Sequence, residues 1–318
     1  MDTTIEKELI DNLERRAERR ADRRKAILMG GAALAGLALT SKMGRAQSTV
    51  TDADVLNFAL NLEYLEAQFY TLATAGVFIN DASLGLSIDA SDGSAKGGTV
   101  LTKAGSNAAI SPVLFTTQVL KDYANETAKD ERNHVAFLQA GLKGAGAVAV
   151  AMPNIDLFNS FNTLATAAGL GATFDPFADE TSFLLGAFIF EDVGVTAYNG
   201  AAGLLTSKSL LQAAAGILAV EAYHAGSIRT RIYAAGAAAQ AASQKIAAAR
   251  AALSAAGGAT ATDDVGVGND SSGAATIVDA DANGITFARN TQEVLSIVYG
   301  GGKGGGVFYP NGLNGTIK

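Results

Sequence analysis

Four long stretches of this sequence repeat apolar residues with the 3.6-residue period of an α-helix, and this pattern constrains the fold more than any other feature. A segment rich in Gly, Ser, Asp and Thr (76–111) separates the first two stretches, and a connection of about 40 residues (142–181) separates the second and third. Neither connection has a regular helical period. A helix pair, a long crossover and a second helix pair can build a four-helix bundle, so we predict an all-α fold with long inter-helix loops. The four periodic stretches cover residues 53–75, 113–141, 182–205 and 209–256.

The composition supports a packed helical core and limits the chemistry. Hydrophobic residues make up 48% of the chain, Gly numbers 36 and Pro only 4, which favours close-packed helices. The absence of cysteine excludes disulfides, thiolate metal sites, iron–sulfur clusters and cysteine nucleophiles. Any metal ion must therefore be bound by carboxylate and imidazole groups.

The chain has only two histidines, and each follows a glutamate by three residues. The pairs are Glu131 with His134 and Glu221 with His224. Residues i and i+3 of a helix lie side by side, so each pair can offer a carboxylate and an imidazole to one ion. In both helices the pair shares its face with apolar residues, which directs it toward the core.

The other two periodic stretches supply matching acids. Glu63 and Glu191 also lie on apolar faces, and each precedes a tyrosine by seven residues, Tyr70 and Tyr198. A carboxylate that faces a core must be protonated, paired with a cation or bound to a metal ion. The chain therefore repeats one unit, Glu-x6-Tyr followed by Glu-x-x-His.

This order resembles that of ferritin-like di-iron and di-manganese proteins, in which four helices provide Glu, Glu-x-x-His, Glu and Glu-x-x-His. The resemblance covers about residues 53–232. Within that class the sequence is similar to the exported ferritin-like domain family that includes desiccation-related proteins. The stretches that carry this similarity are NFALNLEYLEAQFY, DERNHVAFL and VEAYHAGSIR, with FARNTQEVLSIVYG and FYPNGLNG near the C-terminus.

The resemblance implies a ferritin-like four-helix bundle holding two divalent metal ions, iron or manganese. Two glutamates would bridge the metals, each histidine would bind one metal, and the remaining two glutamates would be terminal ligands. In that order the implied ligands are Glu131 and Glu221, His134 and His224, and Glu63 and Glu191.

Five further residues carry interpretations that the pattern leaves open. Tyr70 and Tyr198 either orient the ligands by hydrogen bonding or act as packed aromatics. Glu66 shares the stripe of Glu63 and is either an extra ligand or the partner of a nearby polar group. Asp192 lies off the stripe, which predicts exposure or a bond to arginine. Glu126 lies on a polar face, which predicts a solvated side chain.

The N-terminal segment, residues 1–46, has the pattern of an export signal. Three arginine pairs precede a weakly apolar run of about 15 residues (26–40), which is too short to span a membrane. The stretch RRKAIL resembles a twin-arginine (Tat) signal, which implies the Tat export machinery as a partner and a periplasmic or extracellular location. We expect cleavage after Ala46, with membrane anchoring if the segment is retained. The alternative is an amphipathic N-terminal helix.

The remaining chain divides into a bundle, 47–256, and an irregular extension, 257–318, that packs on the bundle and contains one short helix at Gln292–Tyr299. Residues 1–46 hold 10 of the 24 basic and 7 of the 31 acidic residues, so the rest of the chain carries a net charge of −10. A chain of that sign repels phosphate backbones, which argues against nucleic acid as a partner.

These observations predict redox chemistry on dioxygen or hydrogen peroxide, ferroxidase-like or catalase-like, in stress protection. The alternative is a structural or stress-protective surface or assembly protein whose metal site is vestigial or purely structural. Assembly into a homo-oligomer is a further expectation. Iron storage is less favoured, because the long insertions would obstruct the packing of a storage shell.

Overall fold

The computed structural model describes residues 50–259 and 263–318. The predicted export signal, residues 1–46, lies outside these ranges. Among the described helices, none has both the length and the apolar character needed to cross a membrane.

Four long helices form the bundle and confirm the predicted all-α architecture. The first two pack together, the last two pack together, and weaker contacts join the pairs. The helices of the bundle are α1 (Asp52–Ala75), α2 (Gln118–Gly144), α4 (Glu180–Ala202) and α5 (Lys208–Ala234).

Local sequence signals define the ends of these helices. Thr51 and Asp54 form a capping box at the start of α1, and Gly76 ends the helix in the left-handed region at φ 73°. Asp179 and Ser207 accept hydrogen bonds from the first turns of α4 and α5. Each cap satisfies backbone groups that would otherwise be left unpaired.

The prediction of one helix over residues 209–256 is wrong. Gly236, at φ 92°, interrupts the chain and separates α5 from α6 (Ala237–Ala256). Glycine adopts this backbone conformation without the steric cost that a Cβ atom imposes. The interruption lets α6 pack against α4 and α5 instead of continuing along the bundle axis.

The two long connections are joined by a small sheet. Strand β1 (Val100–Thr102) pairs antiparallel with β2 (Gly105–Ser106) and parallel with β3 (Ile155–Asp156). A short helix, α3 (Asn159–Ala167), follows β3. Its presence corrects the expectation that residues 142–181 lack helix.

The C-terminal chain contacts the bundle at several points. Its one described helix, α7 (Thr291–Val298), lies where the short helix was predicted and packs on α6. The Arg289 backbone N–H donates to the Thr196 carbonyl of α4, and the Tyr309 hydroxyl donates to the Asn61 carbonyl of α1. Gly200 permits the close approach, because a Cβ atom there would lie 1.7 Å from the Arg289 carbonyl oxygen.

Candidate metal centre

The interior of the bundle holds the six residues that the sequence predicts as ligands. Every helix of the bundle contributes side chains to this set. Helices α1 and α4 provide one glutamate each, and α2 and α5 provide a glutamate and a histidine each. All six are buried, and the four glutamates are at most 1% exposed. The set is Glu63, Glu131, His134, Glu191, Glu221 and His224.

The side chains form two overlapping groups. Within each group, one nitrogen or oxygen atom per residue lies within 4.8 Å of the corresponding atoms of the others. Glu131 and Glu221 belong to both groups, which is the arrangement expected of residues that bridge two ions. The first group is Glu63, Glu131, His134 and Glu221, and the second is Glu131, Glu191, Glu221 and His224.

Each imidazole ring points its Nδ1 atom at the carboxylates. His134 Nδ1 lies 3.2 Å from Glu63 Oε2 and 3.4 Å from Glu131 Oε2. His224 Nδ1 lies 3.0 Å from Glu131 Oε1 and 3.5 Å from a Glu191 oxygen. The ring centroids are 6.4 Å apart. The two rings therefore approach the shared carboxylates from separate positions.

Several of these buried atoms lack a hydrogen-bond partner. They include both carboxylate oxygens of Glu131 and Glu221, one oxygen of Glu191 and Nδ1 of His224. Buried polar atoms are rarely left unpaired, because the lost hydration costs about 1–3 kcal/mol for each group. Their convergence on one another is the arrangement of donor atoms that a metal site requires. Carboxylate oxygens with imidazole nitrogens suit iron or manganese, so the residues fit a two-metal group.

The electrostatics lead to the same conclusion. Burial raises the pKa of Glu63 to about 7, and burial together with the charge of Glu131 raises the pKa of Glu221 well above its usual value. Burial opposes a charge on His134, but the neighbouring carboxylates outweigh it and raise the pKa of this imidazole. Burial likewise opposes a charge on Glu131, but His134 and His224 outweigh it and lower the pKa of this carboxyl group to about 2. The other buried acids resist joint ionisation unless further positive charge lies between them.

Two tyrosines brace the terminal glutamates across the bundle. The Tyr70 hydroxyl on α1 donates to Glu191 Oε1 on α4 at 2.5 Å, and the Tyr198 hydroxyl on α4 donates to Glu63 Oε1 on α1. Both tyrosines therefore orient carboxylates, which favours the first of the two interpretations that the sequence left open. The tyrosine of each of these helices thus bonds to the glutamate of the other, as expected for two copies of one Glu-x6-Tyr unit.

The duplication is broken at one position beside the centre. Glu66 and Gly194 each lie three residues after a terminal glutamate, so they occupy equivalent places. Glu66 is buried, at 6% exposure, outside the two groups. A Cβ atom at Gly194 would lie 2.2 Å from Glu221 Oε2 and 3.5 Å from Glu66 Oε1. Gly194 therefore makes the room that the Glu221 side chain occupies.

Sequence reasoning missed Gly194, although a glycine in a helix interior is a signal that a close approach requires it. Two other polar side chains of α2 also make contacts between the helices. Asp130 Oδ2 lies 3.4 Å from His224 Nε2, and the Arg132 guanidinium is buried and donates to Thr71 Oγ1 at 3.0 Å. Glu126 is exposed, as predicted.

Asp192 is buried, and of the two alternatives that the sequence left open, exposure or a bond to arginine, the second is present. Its Oδ2 accepts from Arg229 at 2.8 Å and from Arg250 at 2.7 Å. Asp264 accepts from Arg250 and Arg289 and so extends the cluster to the C-terminal chain. This arginine–aspartate network comprises Asp192, Asp264, Asp279, Arg229, Arg250 and Arg289.

The network lies next to the candidate metal centre, because Asp192 of the network follows Glu191 of the centre in α4. Its three aspartates are close enough together to share a cation. Guanidinium groups already donate into the cluster, so arginine supplies the balancing charge there. The network therefore joins α4, α5 and α6 to the C-terminal chain.

Fold and site together define the class of this protein as a four-helix bundle with a buried carboxylate–histidine centre. The ferritin-like domain family matches residues 51–234, which is more than half of the chain, and the protein belongs to that family.

Two relatives are similar to this chain. A desiccation-related protein of Craterostigma plantagineum is 33% identical over 187 residues, which cover 58% of this chain and 53% of the relative. The matched part is thus about half the length of that relative. A ferritin-like catalase of Nesocodon mauritianus is 26% identical over 284 residues, which cover 84% of each protein. No solved structure matches the chain.

Proposed function

We propose that this protein binds two iron or manganese ions between its four bundle helices and uses them for redox chemistry on hydrogen peroxide or dioxygen. The observation that carries the proposal is the set of unpartnered buried carboxylate oxygens in two groups that share Glu131 and Glu221. The catalase named among the relatives supports peroxide as the substrate. Disproportionation of two peroxide molecules to two waters and one dioxygen balances without any other reductant.

The chain's own residues have separate tasks in this proposal. Glu131 and Glu221 would contribute to both metal positions, and each histidine with one terminal glutamate would contribute to one of them. Such ions, when bound, accept and return electrons and polarise a bound oxygen ligand. Tyr70 and Tyr198 hold Glu191 and Glu63 in orientation through their hydroxyl groups. The buried helix faces exclude bulk water from the site.

Metal analysis with matched variants tests the proposal. We expect about two iron or manganese ions per chain in the wild-type protein, with peroxide turnover. Glu131→Ala should lose both ions and all turnover, because the residue belongs to both groups. Glu126→Ala changes an exposed glutamate of the same helix and should behave as the wild-type protein. Wild-type protein that is free of metal when produced in cells supplied with both iron and manganese would refute the proposal.

The alternative is a stress-protective structural protein, and it is favoured by the likeness to the desiccation-related relative. In that case the centre would stabilise the bundle without turnover. A lower melting temperature after chelation, with no activity toward peroxide or Fe(II), would support this alternative.

We also propose export by the Tat route to the periplasm or the cell exterior, from the twin-arginine pattern of residues 1–46. Fractionation of cells expressing the wild-type protein and a variant with Arg23 and Arg24 both changed to Lys tests this. Equal export of both proteins would argue against the Tat route.

A further inference from the structure

An apolar cleft between α1, α4 and α5 reaches one side of the candidate metal centre. Half-buried Leu62, Ala201 and Leu205 form its outer part, and its inner end consists of Glu63, Glu66 and Gly194. The other lining side chains, apart from Tyr198, are also aliphatic or aromatic hydrocarbons. They are Val55, Leu56, Phe58, Ala59, Ala197 and Ala214.

A second cleft approaches the opposite side of the centre, at Tyr70 and His224. Its lining contains no carboxylate. The Arg231 guanidinium, which is half-buried, lies 5.3 Å from the centroid of the exposed Tyr123 ring. A cation–π contact of this kind holds the arginine at the outer end of the cleft. The positive charge there opposes the entry of a metal cation.

The linings of the two clefts favour the entry of neutral molecules over the entry of cations. A hydrated divalent cation would have to release water among hydrocarbon side chains, which is far more costly than the transfer of a small neutral molecule. In the first cleft, carboxylates occur only at the inner end, so no acidic group at the mouth reduces that cost. A neutral molecule of the size of hydrogen peroxide meets no such barrier.

The inner end of the first cleft offers a group that can receive such a molecule. No hydrogen bond joins the Glu66 carboxyl group to another described residue. This carboxyl group lines the inner end of the cleft together with Glu63 and Gly194. A peroxide O–H can donate to the Glu66 carboxyl group there, beside the ligands Glu63 and Glu221. The lining of the second cleft contains no carboxyl group that could receive a peroxide molecule in the same way.

We propose that small uncharged oxidants, with hydrogen peroxide as the physiological type, reach the centre through the cleft of Leu62, Ala201 and Leu205, and that Glu66 receives them. This inference rests on the proposed function and narrows its substrate class. On this proposal, Fe(II) in solution is a poorer substrate of the folded, metal-loaded protein than hydrogen peroxide is.

Variants at the cleft test the route. Ala201→Leu and Ala201→Phe add side-chain volume to the outer part of the first cleft, away from the ligands. We expect kcat/KM for hydrogen peroxide to fall progressively, by about tenfold or more with Phe, at unchanged metal content and melting temperature. Ser227→Phe places the same ring in the second cleft, also at a half-buried small residue, and should change kcat/KM less than twofold.

A binding measurement separates this inference from the proposed function. Nitric oxide is small and uncharged, so the rate at which it changes the absorbance of the iron-loaded protein reports entry without turnover. If nitric oxide binds more slowly to both Ala201 variants than to Ser227→Phe, the result supports entry through the first cleft. This result is informative even if the protein does not turn over peroxide and the proposed function fails. Equal rates in all variants, or faster oxidation of Fe(II) than of peroxide by the wild-type protein, would overturn it.

Discussion

A single methyl group at Gly194 should weaken the candidate metal centre while leaving the fold intact. The Cβ atom of Gly194→Ala would lie 2.2 Å from Glu221 Oε2 and 3.1 Å from its carboxyl carbon. Ordinary van der Waals contact begins at about 3.4 Å, so the carboxylate must withdraw by about 1.2 Å. Glu221 belongs to both groups, and the displacement therefore disturbs both proposed metal positions.

The size of the expected loss in metal affinity can be estimated from comparable displacements in other sites. A shift of about 1 Å at a reacting centre costs roughly 100-fold in rate, and disturbed support of a ligand costs about 10–100-fold in metal affinity. We therefore expect Gly194→Ala to bind iron or manganese at least about tenfold more weakly. Competition with a chelator of known affinity measures this, and elemental analysis gives the stoichiometry.

Gly216→Ala is the matched control, because Gly216 also lies within a bundle helix but has no heavy atom within 4 Å of the position that a Cβ atom would occupy. Alanine is favoured over glycine in a helix interior by about 1 kcal/mol, so this variant should melt about 2 °C higher with unchanged metal affinity. If Gly194→Ala bound both ions as tightly as Gly216→Ala, the role assigned to the glycine would be refuted.

Three further predictions concern groups around the centre. Asp192→Ala leaves two buried guanidinium groups of the arginine–aspartate network without their shared acceptor. The free energy of unfolding measured with urea should fall by about 3–5 kcal/mol, and a fall of less than about 1 kcal/mol would contradict this role. Tyr198→Phe keeps the ring but removes the hydrogen bond to Glu63, so metal affinity should fall by about tenfold, whereas an unchanged affinity would reduce Tyr198 to a packed aromatic. Burial raises the pKa of Asp279 to about 7, so the folded state retains a proton that the unfolded state releases above about pH 4. The free energy of unfolding therefore falls as the pH rises from about 4 to about 7. In Asp279→Asn, the free energy of unfolding measured with urea should fall less between about pH 5 and pH 8 than in the wild-type protein. Parallel curves for the two proteins would contradict that assignment.

The sequence predicted those features that depend on short separations along one helix. The 3.6-residue period located the four bundle helices, and the i, i+3 spacing placed Glu131 with His134 and Glu221 with His224. The structure brings the six predicted ligand residues together, because each lies on the apolar face of its own helix.

The features that were missed depend on residues far apart in the chain. The alanine-rich pattern continues through Gly236, so periodicity could not place the break between α5 and α6. Asp192 has its partners at Arg229 and Arg250, 37 and 58 residues away, and no local pattern connects them.

The sequence by itself determined which helices form, which faces they bury and which acids and imidazoles those faces carry, because helical geometry relates neighbouring residues directly. Only the tertiary structure decided that Glu131 and Glu221 belong to both groups, that Gly194 makes room for Glu221, and that hydrocarbon clefts lead to the centre. These properties arise from distances between helices, and such distances are set by the packing of the whole core.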